Sequence, residues 1–192
     1  DPQKVNYAID SSIQGKKVEK ANPTQLAKAI KNPVELENIR NAHIKDGVAF
    51  TKFMYWLKTN VGKIPMTEIS AADYLLAGRA EQEGFIEPSF DTISAYKANA
   101  AMMHYSATKE SDAVLQAEGM LLVDSGGQYY EGTTDITRTM VLGPITDEQK
   151  LHFTTVLRSN LNLANARFLH GCVGMNLDIL ARGPIWDLGL DY

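Results

Sequence analysis

The sequence lacks the features that mark secreted, membrane-spanning or nucleic-acid-binding proteins. It has 1 cysteine in 192 residues, which excludes an internal disulfide and a cysteine-ligated zinc site. No apolar run reaches the roughly 18 residues of a membrane span, and the first residues show no signal-peptide hydrophobic region. A net charge of -4 argues against a nucleic-acid or anionic-membrane partner. We therefore expect a cytoplasmic protein.

The chain also lacks an initiator methionine, because it begins "DPQKVNYAID". Residues 4–9 read as a strand separated from its sheet, and a stretch rich in turn-forming and charged residues follows up to Pro23. We therefore expect residues 1–22 to be the tail of a preceding domain and a linker.

Four later segments have helical signals. Asn32, Pro33 and Glu35 form the start of a long helix, with Asn32 as the N-cap and Glu35 closing a capping box. A second helix is predicted over 70–82, stopped by Gly84. A third should begin at a Thr146 capping box and reach about residue 169, and a fourth should cover 176–189.

The remaining segments indicate strands, so the fold class is α+β. Residues 90–107 contain two short strand-like runs, separated by the region of Lys97 to Asn99. The strongest β pattern covers 113–143, with a turn at Tyr129 to Gly132.

Two aspartates interrupt this β pattern where a sheet would prefer apolar residues. Asp124 follows the run Leu121 to Val123, and Asp135 lies across the turn, so the hairpin would bring them near one another. Neighbouring carboxylates repel, and a divalent metal would relieve the repulsion. The spacing leaves a plainer alternative open, in which Asp124 caps a turn and Asp135 pairs with Arg138.

The string "VDSGGQYYEGTTDITRTMVLG" resembles the first metal-binding hairpin of the aminopeptidase P branch of the pita-bread metallopeptidases. The segments "NPVELENIRNAHIKDGVA", "FDTISAYKANAAMMHYSAT" and "WDLGLDY" are similar to other parts of that family, so the likeness covers residues 22–192. It implies a curved antiparallel sheet with helices on one side. Residues 23–192 would form the N-terminal part of the catalytic domain.

The resemblance also implies roles for three residues. Asp124 would chelate one metal ion, Asp135 would bridge two ions, and His104 would contact the scissile peptide group. The cofactor would be two divalent ions, with Mn²⁺ the expected metal. The substrate would be a peptide with proline in second position, and the enzyme would be a homo-oligomer such as a dimer.

This chain departs from the family pattern in one respect. The family completes its site with a histidine and two glutamates, which follow the position where this sequence stops. We therefore expect the 192 residues to be truncated before those ligands, to bind metal weakly or not at all, and to lack peptidase activity. Two alternatives stay open. The first is a relative with different chemistry, either a prolidase-like dipeptidase or a metal-free creatinase. The second is a non-catalytic pita-bread binding module, which would tend to lose the aspartates.

Other polar residues have structural interpretations. Cys172 has no nucleophile motif, so we expect a buried and inert thiol. Asn99 would shape the loop before His104, and Arg138 would order the strands or pair with a carboxylate.

Overall fold

The computed structural model describes residues 1–192, which form two compact units. The first unit comprises Asp1–Phe53, Asp73–Thr92 and Ser125–Ile136. The second comprises Met54–Ala72, Ile93–Asp124 and Thr137–Tyr192.

The elements are helices and short strands, which confirms the predicted α+β class. The helices are α1 Tyr7–Ser12, α2 Pro23–Ala29, α3 Pro33–Asn60, α4 Glu68–Ala80, α5 Asp147–Ala164 and α6 Gly174–Trp186. The strands are β1 Phe85–Pro88, β2 Ile93–Tyr96, β3 Met120–Ser125, β4 Gly127–Tyr129, β5 Gly132–Thr133 and β6 Ile136–Val141. No helix combines the length and apolar character that a bilayer span requires.

Helix α3 begins as its sequence predicts. The Glu35 amide donates to Asn32 Oδ1 at 2.9 Å, and the Asn32 amide donates to Glu35 Oε2 at 2.8 Å. This reciprocal pair satisfies two amides that the helix itself leaves without partners. Apolar residues along one stripe of this helix are buried, among them Ala42, Ala49 and Phe53.

The strands are assigned to two three-stranded sheets, one in each unit. The first has the order β1-β4-β5 and the second has the order β2-β3-β6. In the first sheet, Gln128 pairs with Thr133 and Tyr129 with Gly132, which confirms the predicted turn. In the second, β2 and β3 are antiparallel.

Two sequence-based strand predictions are wrong. Residues 4–9 do not form a strand, because Asn6 Oδ1 accepts the Ile9 amide at 2.9 Å and starts α1. After β2, a single 3₁₀ turn over Lys97–Ala101 and a loop replace the second strand-like run.

The bounds of three helices also differ from prediction. Helix α4 starts two residues early, because Thr67 and Ser70 cap each other: each amide donates to the other's hydroxyl oxygen, at 2.8 and 3.1 Å. Helix α5 has the predicted capping box but ends at Ala164, since Asn165 takes the C-cap position. Helix α6 continues through Pro184 as predicted, but it covers Gly174–Trp186 instead of 176–189.

A buried ion pair lies at the centre of the first unit. Asp46 on α3 is fully buried, and Arg79 on α4 is 1% exposed; Nη2 of the guanidinium donates to Asp46 Oδ2 at 3.1 Å and Nε donates to Oδ1. The Tyr129 hydroxyl donates to Oδ1 at 3.0 Å and the Thr134 hydroxyl to Oδ2 at 2.9 Å. Burial and the Asp46 carboxylate together raise the pKa of Tyr129. One carboxylate thus joins two helices to the β4–β5 hairpin.

The turn of the same hairpin is held by a second, more exposed pair. Lys45 Nζ binds Glu131 Oε1 and also donates to the Glu83 carbonyl at 2.9 Å. The bond to Lys45, followed by a backbone hydrogen bond, lowers the pKa of Glu131. Successive residues of α3, Lys45 and Asp46, therefore bind the tip and the base of one hairpin.

Replacing Asp46 by asparagine should lower the free energy of unfolding by about 3–5 kcal/mol, because Arg79 would stay buried without its counter-charge. Urea denaturation measures this loss. The control is Glu37→Gln, which breaks an exposed pair with Arg40 on the same helix and should cost at most about 1 kcal/mol. A loss for Asp46→Asn no larger than that of the control would contradict the assignment.

The Lys45–Glu131 pair should make the hairpin sensitive to acid. Since the folded-state pKa of Glu131 lies below its unfolded value, the pair stabilises the fold above the unfolded pKa. That stabilisation is lost as the pH falls through the lowered pKa. We expect the NMR titration midpoint of the Glu131 carboxyl to rise in Lys45→Met but not in Lys52→Met, a change at an exposed lysine of the same helix. Equal midpoints in both variants would rule out the role of Lys45.

Candidate metal and substrate site

Asp124 lies on β3, the central strand of the second sheet, and pairs with Ile93 of β2. Burial alternates along β3, so Asp124 lies on the opposite face from the buried Leu121 and Val123. Its Oδ1 atom is buried and has no hydrogen-bond partner. A buried carboxylate oxygen without a donor is costly, so this atom calls for a cation or a donor from elsewhere. Oδ1 does not cap the adjacent turn.

Asp135 lies between Thr134 and the first residue of β6, and its side chain is exposed. Thr134 is fully buried. Its hydroxyl donates to Asp46 Oδ2 and accepts the Gly127 amide at 2.9 Å. The backbone that carries Asp135 is therefore fixed at the preceding residue. The Arg138 guanidinium donates to the Thr137 carbonyl at 2.7 Å, so it orders the backbone of β6.

The donor chemistry of the two aspartates suits a hard divalent cation, since both supply only carboxylate oxygens. No group of three or more histidine, cysteine, aspartate and glutamate side chains in the chain is arranged to hold a metal ion. Two carboxylates supply at most about four oxygen donors, whereas such ions take six or more ligands. The sharing of ions by Asp124 and Asp135 stays a prediction.

His104 is exposed and lies in the loop that follows the 3₁₀ turn. Two backbone hydrogen bonds shape this loop: the Met102 amide donates to the Asn99 carbonyl and the Tyr105 amide to the Met102 carbonyl, both at 3.2 Å. The next residue, Tyr105, is only 7% exposed. The exposed imidazole of His104 is thus followed directly in the chain by the buried side chain of Tyr105.

Tyr105 belongs to a polar cluster around Glu68, which is fully buried at the start of α4. Glu68 Oε1 accepts the Tyr96 amide at 2.6 Å and Asn99 Nδ2 at 3.0 Å. Glu68 Oε2 accepts the Tyr105 hydroxyl at 2.8 Å and the Ala113 amide at 3.1 Å. Burial, together with the Glu68 carboxylate, raises the pKa of Tyr105. Asn99 thus holds the loop before His104 through its bond to Glu68, in agreement with its predicted loop-shaping role.

Sequence reasoning missed Asp46 and Glu68, the two buried carboxylates with complete sets of partners. Asp46 carries a signal, since it stands four residues after Ala42 within an otherwise apolar stripe. Glu68 carries none, because an acid in the first turn of a helix is already explained by the helix dipole. The expectation of a buried Cys172 is wrong: the thiol is exposed, because it lies in the segment between α5 and α6.

In sequence, this chain is similar to proteins named as aminopeptidases P. The chain is 40% identical over 214 residues to aminopeptidase P1 of Arabidopsis thaliana, covering 100% of this chain and 33% of the relative. It is 42% identical over 193 residues to a probable Xaa-Pro aminopeptidase P of Sordaria macrospora, covering 98% of this chain and 31% of the relative. The chain therefore spans about a third of the length of these curated relatives.

Comparison of the fold also finds an aminopeptidase of this kind. The structure superposes on X-prolyl aminopeptidase from Caenorhabditis elegans, described as a cytosolic enzyme with a di-nuclear active site, with a TM-score of 0.85 and 39% identity. That match covers 89% of this chain and 28% of the worm enzyme. The likeness confirms the predicted pita-bread architecture.

The family model for metallopeptidase family M24 matches residues 37–192, which include His104, Asp124 and Asp135. Because this match covers most of the chain, the chain belongs to metallopeptidase family M24.

Proposed function

We propose that this chain carries part of the active site of a dinuclear metalloaminopeptidase that hydrolyses the peptide bond between an N-terminal residue and proline. Within the chain, the observation that supports this most directly is the buried, unpartnered Oδ1 of Asp124 on a central strand. The membership in family M24 and the names of the relatives supply the reaction class.

Asp124 and Asp135 are the proposed metal ligands. Asp124 would hold one ion and Asp135 would bridge two, with Mn²⁺ as the proposed metal because both donors are hard carboxylate oxygens. When bound, the ions would polarise the scissile carbonyl as Lewis acids. The two carboxylates would direct their negatively charged oxygens toward the ions. The fixed backbone at Thr134 would limit the directions that the Asp135 side chain can take.

His104 is the proposed substrate-binding residue. Its exposed imidazole can donate a hydrogen bond to a peptide carbonyl, which would orient the scissile bond and stabilise charge that develops on its oxygen. The proline preference rests on the relatives' names alone.

The proposed setting is a cytoplasmic homo-oligomer, in line with the cytosolic description of the worm enzyme. Apolar side chains are exposed on both of the last helices, and they offer a surface for self-association. These side chains are Leu151, Val156, Leu157, Leu161, Met175, Ile179 and Trp186. The division of the chain into a tail over 1–22 and a catalytic portion over 23–192 is part of the same proposal.

The 192-residue chain should bind Mn²⁺ more weakly than about 0.1 mM, because two carboxylates leave most coordination positions unfilled. Isothermal titration with MnCl₂ measures this affinity. Any residual binding should disappear in a variant with both Asp124→Asn and Asp135→Asn, and persist in Asp147→Asn, an exposed control on α5. Two tight sites in the wild-type chain would refute the donor count.

In an active enzyme that contains these residues, His104→Ala should lower kcat/KM for an Xaa-Pro-Xaa tripeptide about 100-fold, because one donor to the developing charge is lost. His170→Ala, a change at another exposed histidine, is the matched control and should leave kcat/KM unchanged. The same assay with an Xaa-Pro dipeptide tests the substrate class. Cleavage of the dipeptide alone would identify a prolidase, and turnover that survives removal of bound metal by a chelator would identify a creatinase-like relative.

A further inference from the structure

The environment of Glu68 differs from that of an ordinary structural carboxylate. It is fully buried, yet every partner around it is a neutral donor: two backbone amides, one amide side chain and one phenol. All four donors belong to one stretch of chain, from Tyr96 to Ala113. The carboxylate therefore organises that stretch and pairs with no cation.

The same carboxylate closes the loop that carries His104. Asn99 and Tyr105, which are six positions apart, both donate to Glu68, and Asn99 Nδ2 also lies 3.0 Å from the Tyr105 hydroxyl. His104 immediately precedes Tyr105, so a shift of its backbone would strain that hydrogen-bonded closure.

The backbone at the start of the stretch is in an unfavourable conformation. Lys97 has φ of 49°, in the left-handed region that a residue with a side chain rarely adopts. It lies between Tyr96 and Asn99, and Glu68 binds both. Such a conformation persists only where surrounding contacts impose it, and here Glu68 supplies two of them.

We propose that Glu68 is a positioning residue, whose carboxylate fixes the segment Asn99–Tyr105 and thereby sets the position of the His104 imidazole. The role of His104 toward substrate rests on the proposed function. The placement of His104 by Glu68 does not depend on that proposed function.

A carboxylate is required at this position, since a glutamine would turn an N–H group toward the backbone amide of either Tyr96 or Ala113, and those amides can only donate. Glu68→Gln keeps the size of the side chain but must break at least one of the four bonds. Tyr105→Phe removes one donor and leaves the carboxylate in place. Leu57→Val, a change at a buried residue outside the cluster, controls for a general loss of stability.

NMR on the 192-residue chain tests the placement directly. In Glu68→Gln, the amides of Met102 and Tyr105 should exchange with solvent about tenfold faster or more, and the ring and backbone signals of His104 should shift. Tyr105→Phe should give a smaller change of the same kind, and it replaces Glu68→Gln if that variant does not fold. Leu57→Val should leave the His104 signals unchanged. Wild-type exchange rates and His104 signals in a folded Glu68→Gln chain would overturn the proposal.

A double-mutant cycle in an active enzyme that contains these residues tests the consequence. Glu68→Gln should lower kcat/KM about 10- to 100-fold, as expected for a misplaced binding group, and should cause no further loss in the His104→Ala background. Equal losses in both backgrounds would overturn the action through His104. If no such enzyme cleaves Xaa-Pro peptides, the proposed function fails, whereas the NMR comparison still decides the role of Glu68.

Discussion

The structure depends on how its buried carboxylates are compensated. An ionised carboxylate out of water needs a cation, a full set of hydrogen-bond donors, or both. Asp46 has both, with the Arg79 guanidinium and two hydroxyl donors. Glu68 has four neutral donors and no cation. Asp124 has neither for its buried Oδ1.

This contrast supports the proposed metal-binding role of Asp124. Glu131 also has one buried oxygen without a partner, but its other oxygen binds Lys45, whereas Asp124 has no cation beside it. An unfilled carboxylate on a rigid sheet is the arrangement that a metal ligand needs before its ion arrives, because the site must resist collapse onto internal donors. Membership in family M24 fits this interpretation.

Sequence patterns predicted the elements whose signals are local. The capping boxes at Asn32 and Thr146 and the turn after Tyr129 are set by residues within three or four positions of each other, and all three are present. The residues after Lys97 were mistaken for a strand, because the contacts that bend them come from Glu68, which precedes Asn99 by 31 positions and Tyr105 by 37. The sequence shows the donors and the acceptor but not that they meet.

The candidate site was predictable to a similar degree. An acid inside a β pattern singled out Asp124 and Asp135, whereas their roles and that of His104 came from resemblance to a family. The residues that hold these side chains in place were not predictable, since the sequence does not show which partners Thr134 and Tyr105 meet in the fold. Their function is visible only through their partners Asp46 and Glu68.

The proposed site residues differ in the support that the fold gives them. Asp124 stands on a central strand, where pairing on both sides restricts the backbone. His104 stands in a loop, where only turn hydrogen bonds would otherwise restrict it. A peptidase needs both groups held to well under an ångström, because small displacements of reacting groups reduce rates steeply. In our proposal, the buried Glu68 cluster restricts this loop through Asn99 and Tyr105, which gives a role to a buried carboxylate that has no counter-ion.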